Sequence, residues 1–96
     1  MTTVAAAYQA LVEARAAWDD SGHEDGAADR EMGRAEGIVE TGVATTLPDL
    51  LAKARLIRDL APLTGGVISP DLAETLVLGL ERLCDGRLQA AGAMAR

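Results

Sequence analysis

Aromatic and cysteine residues are scarce in this chain of 96 residues: Tyr8 and Trp18 are the whole aromatic content, and Cys84 is the single cysteine. One cysteine excludes an internal disulfide, so the fold does not depend on an oxidising compartment. No apolar run approaches about 20 residues, and no basic and apolar stretch forms a signal peptide at the N-terminus. We therefore expect a single cytoplasmic domain with no membrane partner and a core of Leu, Val, Ile and Ala.

Basic residues are also few, and the net charge of −6 is distributed unevenly. Residues 1–42 contain nine acidic residues and three arginines, whereas residues 43–96 contain six acidic and six basic residues. A nonspecific grip on phosphate backbones needs clustered Lys and Arg, so direct binding to nucleic acid is not expected. The leucines show the opposite distribution, because only Leu11 of the thirteen precedes residue 47.

Apolar residues recur at three- and four-residue spacing in four segments, which predicts four helices. The predicted helices span about 4–19, 23–41, 47–61 and 70–85, with a frayed tail over 87–96. Their N-caps are expected at four hydroxyl residues, Thr3, Ser21, Thr46 and Ser69. The short connections favour an all-α domain over residues 1–96, either an up-and-down antiparallel four-helix bundle or two packed helical hairpins. Because the first hairpin is rich in Ala and Gly, the second is expected to be the stable part.

The third predicted helix is apolar on two sides. Its core stripe is expected to comprise Leu47, Leu50, Leu51, Ala54, Ile57 and Ala61, with Pro62 ending the helix. Nearly opposite lies an edge of Leu56, Leu60 and Leu63, and Leu78 lies off the stripe of helix four. Exposed apolar patches usually mark interfaces, so these four leucines predict self-association, most simply as a two-fold dimer. The alternative is a central helix that is buried on both sides.

Acidic residues of helix two form a second predicted interaction surface. Asp29, Glu36 and Glu40 are the residues we assign to a face for a basic protein partner. The charge concentrated in residues 1–42 would steer such a partner electrostatically. This hypothesis describes an inhibitor from a phage or another mobile element, such as an anti-CRISPR protein or a mimic of nucleic-acid charge. The alternative is a solvated helix face.

Arg15 is the one charged residue on the apolar side of helix one. We expect its stem to cover apolar surface while its guanidinium stays in water. One alternative is an ion pair with Asp29 or Glu36. Another is a pocket beside Tyr8 and Trp18, where an anion or an apolar ligand could sit.

The remaining features predict no catalytic residue, cofactor or metal site. His23 lies among carboxylates, but no Glu-x-x-His pair accompanies it, and an Asp- and Gly-rich turn is typical of an exposed connection. Cys84 is interpreted as a small core residue. The Gly33–Gly37 spacing is interpreted as a consequence of composition rather than as a helix contact. The chain contains no glycine-rich phosphate loop and no nucleophile elbow, so we expect no enzyme activity.

The stretch Ala44-Thr45-Thr46-Leu47, followed by Leu50-Leu51-Ala52-Lys53-Ala54-Arg55, carries a resemblance. It resembles a segment of small alanine-rich uncharacterised helical proteins of high-GC alphaproteobacteria and their mobile elements. In those proteins an Ala-Thr-Thr-Leu boundary follows an acidic helix and opens a second helical hairpin. The similarity covers about a dozen positions, with Pro48 and Asp49 in place of small residues. It implies a bacterial origin and a helical layout, and it implies no activity.

These observations favour a noncatalytic, self-associating helical module for protein–protein interaction. The alternatives are the acidic inhibitor of a basic partner and a small-ligand-binding helical bundle.

Overall fold

The computed structural model describes residues 2–86 and confirms the all-α prediction. Its helices are α1 (Val4–Asp20), α2 (Gly26–Thr41), α3 (Leu47–Thr64) and α4 (Pro70–Cys84). The described residues form no strand, and the helices pack against one another as a bundle. The tail predicted to fray, residues 87–96, lies outside the described residues.

The two central helices hold the bundle together. α2 and α3 each contact the other three helices, whereas α1 and α4 do not contact each other within residues 2–86. A closed ring of four helices would bring the first against the last. The bundle is therefore open, with α1 on one side of the central pair and α4 on the other.

Side-chain caps fix where three of the helices begin, as predicted. The hydroxyls of Thr3, Thr46 and Ser69 accept backbone N–H groups from the first turns of α1, α3 and α4. The prediction for α2 was wrong, because Asp25 rather than Ser21 is its N-cap. Ser21 Oγ instead accepts the N–H groups of Glu24 and Asp25 at 3.1 and 2.9 Å. These bonds stabilise the connection and delay the start of α2 to Gly26.

Pro62 does not end α3, contrary to the prediction. The helix continues to Thr64 and closes at Gly65, whose φ of 67° is the left-handed conformation that glycine adopts without strain. The N–H of Gly66 donates to the carbonyl of Ala61 at 3.0 Å. A proline in the last turn removes only its own N–H from the helix, so the turn after it can still form.

The core lies mainly between α1, α2 and α3, which reverses the expectation that the second hairpin is the better packed. α1 buries five residues, whereas α4 buries only Leu72 and Gly79. The main cluster comprises Val4, Ala7, Tyr8, Leu11, Ala35, Val39, Ala52, Leu56 and Leu72. Alanines at the helix contacts allow close approach, so a hairpin with one leucine still forms a dry interface.

The inward face of α3 also differs from the predicted stripe. Leu56 is completely buried and Leu50 nearly so, whereas Leu51 is 48% exposed. Two charged residues, Asp49 and Lys53, occupy the buried side with Leu56. The predicted stripe missed this face because it follows apolar residues alone, and here Asp49 and Lys53 are buried with hydrogen-bond partners.

Asp49 holds the N-terminus of α1 and the chain that precedes α3. Its carboxylate accepts the backbone N–H groups of Ala5 and Thr45, each at 2.9 Å, and the Thr45 hydroxyl at 3.1 Å. Burial pushes the pKa of this carboxyl upward, but the hydrogen bonds from Thr45, Ala5 and Thr46 outweigh it, and the pKa lies below its ordinary value. The ionised form of Asp49 is therefore the one that stabilises the fold.

Lys53 holds the C-terminal turn of α2, at the same end of the first hairpin as Asp49. Its ammonium donates to the carbonyl of Val39 at 2.6 Å, in the last turn of α2, and to Thr75 Oγ1 of α4 at 2.8 Å. Thr75 Oγ1 lies 3.0 Å from the carbonyl of Glu40 and 2.8 Å from that of Asp71, within donating distance of both. Burial lowers the pKa of Lys53, although Asp49 and Glu40 partly oppose this. One side chain of α3 thus connects α2 with α4.

Asp49→Asn is expected to lower the free energy of unfolding by about 3 kcal/mol at about pH 7. The reason is that a neutral amide replaces the ionised carboxylate that accepts the buried N–H groups. The native pKa of Asp49 is lowered, so the wild type loses this contribution as the pH falls through that value. The difference between the two proteins should therefore shrink toward about pH 2. Urea unfolding followed by circular dichroism measures it.

Asp20→Asn is the matched control, since Asp20 is exposed at the end of α1. It should change the free energy of unfolding by less than about 0.5 kcal/mol. A penalty for Asp49→Asn that stayed constant across the acid range would contradict the assigned role of the carboxylate.

Candidate functional site

A cleft of about 580 Å³ opens where α1, α2 and the end of α3 meet, and we call it the hairpin cleft. Its apolar lining consists of Leu11, Trp18, Met32, Leu60 and Leu63. Its polar lining consists of Arg15, Asp19, His23, Asp29 and Glu36. Gly33 completes it, with nothing within 4 Å of the position that a Cβ would take. Cavities of this size bind small molecules or a few side chains of a partner.

Arg15, which lines the hairpin cleft, also belongs to a polar cluster around Asp59 of α3. Asp59 Oδ2 accepts the Tyr8 hydroxyl at 2.6 Å, and Asp59 Oδ1 accepts Arg58 at 2.9 and 3.0 Å. Arg15 Nη1 lies 3.7 Å from Asp59 Oδ2. The ion pair suggested for Arg15 thus forms with Asp59 of α3 and not with Asp29 or Glu36. No sequence motif around Asp59 indicated that it would pair with Arg15 and Tyr8.

The pKa values of this cluster favour the charged carboxylate and the neutral phenol. Burial raises the pKa of Asp59, but the hydrogen bonds from Tyr8 and Arg58 and the charges of Arg58 and Arg15 lower it below its ordinary value overall. Burial, followed by the hydrogen bond to Asp59, raises the pKa of Tyr8. Tyr8 therefore remains a donor to Asp59 and is not free to bind a ligand, so the pocket suggested beside it includes Trp18 without Tyr8.

Trp18 and His23, which both line the hairpin cleft, form a stacked ring pair. The rings of Trp18 and His23 lie 5.3 Å apart with 13° between their planes. His23 Nε2 lies 3.2 Å from Asp19 Oδ1, and the backbone of His23 has a φ of 69°. A non-glycine residue in this left-handed region is uncommon. Within residues 2–86, no group of three His, Cys, Asp or Glu residues is placed to hold a metal ion.

The predicted acidic face is divided by the fold. Asp29 and Glu36 line the hairpin cleft, whereas Glu40 does not. Burial raises the pKa of Glu40, and the charges of Glu36 and Asp71 add to the effect. Glu40 thus belongs to a like-charged group between α2 and α4, and the charge of Lys53 opposes the rise of its pKa only in part.

The four predicted self-association leucines do not form one surface. Leu56 cannot contribute, because it is fully buried in the core, and that prediction was wrong. Leu60 is partly buried against the core, and Leu63 is 79% exposed. Both line the hairpin cleft, whereas Leu78 is exposed on α4. Leu56 is buried because its side of α3, and not the predicted stripe, faces the first hairpin.

A second exposed apolar surface lies on α4, and we call it the α4 outer face. It consists of Ala73, Val77, Leu78, Leu80 and Cys84, all of them exposed. Val77 is 54% exposed and Leu80 is 44% exposed. Cys84 is therefore not the core residue that was expected. The prediction for Cys84 was wrong because only one side of α4 packs against the bundle, whereas its apolar residues extend around more of the helix.

None of the four helices within residues 2–86 is long and apolar enough to cross a membrane. Comparison with known proteins gives no match to any family model, curated protein or solved structure.

Gly33→Ala is expected to raise the free energy of unfolding by about 1 kcal/mol, because the position is helical and open, and alanine has the higher helix propensity. Gly79→Ala should lower it by about 1 kcal/mol, since a Cβ there would lie 2.5 Å from Leu50 Cδ2 and 3.2 Å from Ala44 Cβ. Thermal unfolding of both variants tests this contrast. Equal shifts of the same sign would contradict the close approach of α4 to α3.

Proposed function

We propose that this chain is a noncatalytic helical module for protein–protein interaction that self-associates through the α4 outer face. The observation that carries the proposal is the exposure of this face in a helix that buries only Leu72 and Gly79. Contiguous exposed apolar surface on a small protein usually marks an interface. Covering it would remove Val77 and Leu80 from water, which favours association by the hydrophobic effect.

The predicted dimer is thereby moved from α3 to α4. Of the four leucines first assigned to it, Leu78 belongs to the α4 outer face, while Leu60 and Leu63 belong to the hairpin cleft. Glu74 and Glu81 border one side of the row formed by Ala73, Val77, Leu80 and Cys84, as polar residues at the edge of an interface do.

Val77→Glu is expected to abolish self-association, because it would place a charge within the covered apolar surface. Light scattering after size exclusion should show the wild-type mass rising above the 10.0 kDa of one chain with concentration, up to about 0.5 mM. The variant should keep the mass of a monomer.

Val12→Glu is the matched control, since Val12 is a helical valine, 39% exposed, on α1, which does not touch α4. It should associate like the wild type, and circular dichroism should show the same helix content for both variants. A wild-type monomer at every concentration, or equal disruption by Val12→Glu, would overturn the proposal.

A second candidate function is the binding of a basic partner segment in the hairpin cleft. The supporting observation is that Asp29 and Glu36 share this cleft with Trp18 and Leu63. An acidic rim over an apolar floor suits a segment that carries both arginine and leucine. A basic protein, targeted by an acidic inhibitor, would supply such a segment.

A synthetic helical peptide of arginine and leucine is expected to change the fluorescence of Trp18, the single tryptophan, at low salt. The effect should weaken as ionic strength rises, because the rim charges are screened. The double variant Asp29→Asn, Glu36→Gln should lose most of this response. Glu13→Gln with Asp20→Asn removes the same charge outside the cleft and should retain it, so an equal loss in both double variants would count against a site in the cleft.

A further inference from the structure

α4 carries two apolar rows, and only one of them faces its own bundle. The inner row is Leu72, Leu76, Gly79 and Leu83. Leu72 and Gly79 are buried, Leu76 packs against Leu50 and Ala44, and Leu83 at the end of the helix is 38% exposed. The outer row is Ala73, Val77, Leu80 and Cys84, and we call it the outer seam. Its spacing of four, three and four residues is that of the paired positions in a coiled coil.

The residue types along the outer seam indicate the geometry of pairing. In heptad terms Val77 and Cys84 occupy a positions, while Ala73 and Leu80 occupy d positions. A β-branched residue at a with leucine at d favours two parallel helices. Building on the self-association proposed above, we propose that α4 pairs with α4 of a second copy in parallel, so that Cys84 of the two chains meet.

The charges beside the seam favour the same orientation. Glu74 and Glu81 follow the d positions, so both are e positions. An antiparallel pair would bring Glu74 of each copy opposite Glu81 of the other, on one side of the seam, and like charges at such positions repel. A parallel pair instead brings each e position near a g position. For Glu81 that g neighbour is Leu76, which carries no charge.

The length of the seam sets the expected strength. From Ala73 to Cys84 it extends about 16 Å, at about 1.5 Å per residue. The seam is therefore shorter than two full heptads, and it offers less surface than the roughly 800 Å² per partner of a standard stable interface. The pair should therefore be weak, with a dissociation constant on the order of 10–100 µM.

Cys84 makes the orientation measurable by oxidation. Diamide, which is reduced as two thiols form a disulfide, should link wild-type chains in the parallel pair, because facing a positions bring the two Cα atoms close enough for a disulfide. In an antiparallel pair the two Cys84 residues would lie about 16 Å apart along the axis. Non-reducing electrophoresis after short exposure near the dissociation constant measures the linked fraction.

A displaced cysteine provides the matched control. Val12→Cys in a Cys84→Ser background places an exposed thiol on α1, away from α4 and its outer face. It should crosslink about tenfold more slowly than Cys84 in the wild type, since only Cys84 gains a high effective concentration from pairing. Val77→Glu, which keeps Cys84, should crosslink as slowly as this control.

The outcomes separate this inference from the proposed function. Fast linking of Cys84 that Val77→Glu abolishes supports the parallel pair. A wild-type dimer by light scattering whose Cys84 links no faster than the displaced cysteine overturns the parallel geometry and leaves self-association standing. In that case, Ala73→Cys in a Cys84→Ser background would link with wild-type Cys84 if the pair is antiparallel. A strictly monomeric wild type overturns both.

Discussion

Asp49 and Lys53 lie one turn apart on the buried side of α3, and each ends at a helix terminus of opposite polarity. The carboxylate accepts the N–H of Ala5 at the positive end of α1, and the ammonium donates to the carbonyl of Val39 at the negative end of α2. The first hairpin places these ends side by side. α3 can therefore dock in one register only, because a slip by one turn would leave a buried charge without its partner.

In this fold, the leucine content of a helix does not determine how much of that helix is buried. Ala7 and Ala35 are completely buried in the first hairpin, whereas Leu80 and Val77 remain about half exposed on α4. Small side chains let α1 and α2 approach closely, and Asp49 and Lys53 then join them to α3. The leucine-rich fourth helix is left with apolar surface beyond what the bundle covers, and that surplus is the basis for proposing an interaction function.

The helices could be predicted from local signals, because Thr3, Thr46 and Ser69 act within one turn of the helix that each begins. The side of α3 that faces the core could not be predicted, since the predicted apolar stripe left out Lys53 and placed Leu56 at an outer edge. Asp29 and Glu36 were recognised as candidate site residues, but their meeting with Leu63 depends on tertiary packing. Sequence spacing carries no information about that packing when a central helix is apolar on several sides.

α4 buries only Leu72 and Gly79, and Leu76 and the hydrogen bonds of Thr75 with Lys53 and Glu40 complete its attachment to the bundle. Local opening of such an element costs less free energy than global unfolding. If a second copy covers the outer seam, association and the ordering of α4 become thermodynamically linked, and each stabilises the other. A weak dimer of this kind would respond to protein concentration as a folding equilibrium does, with α4 becoming more firmly held as the chain accumulates.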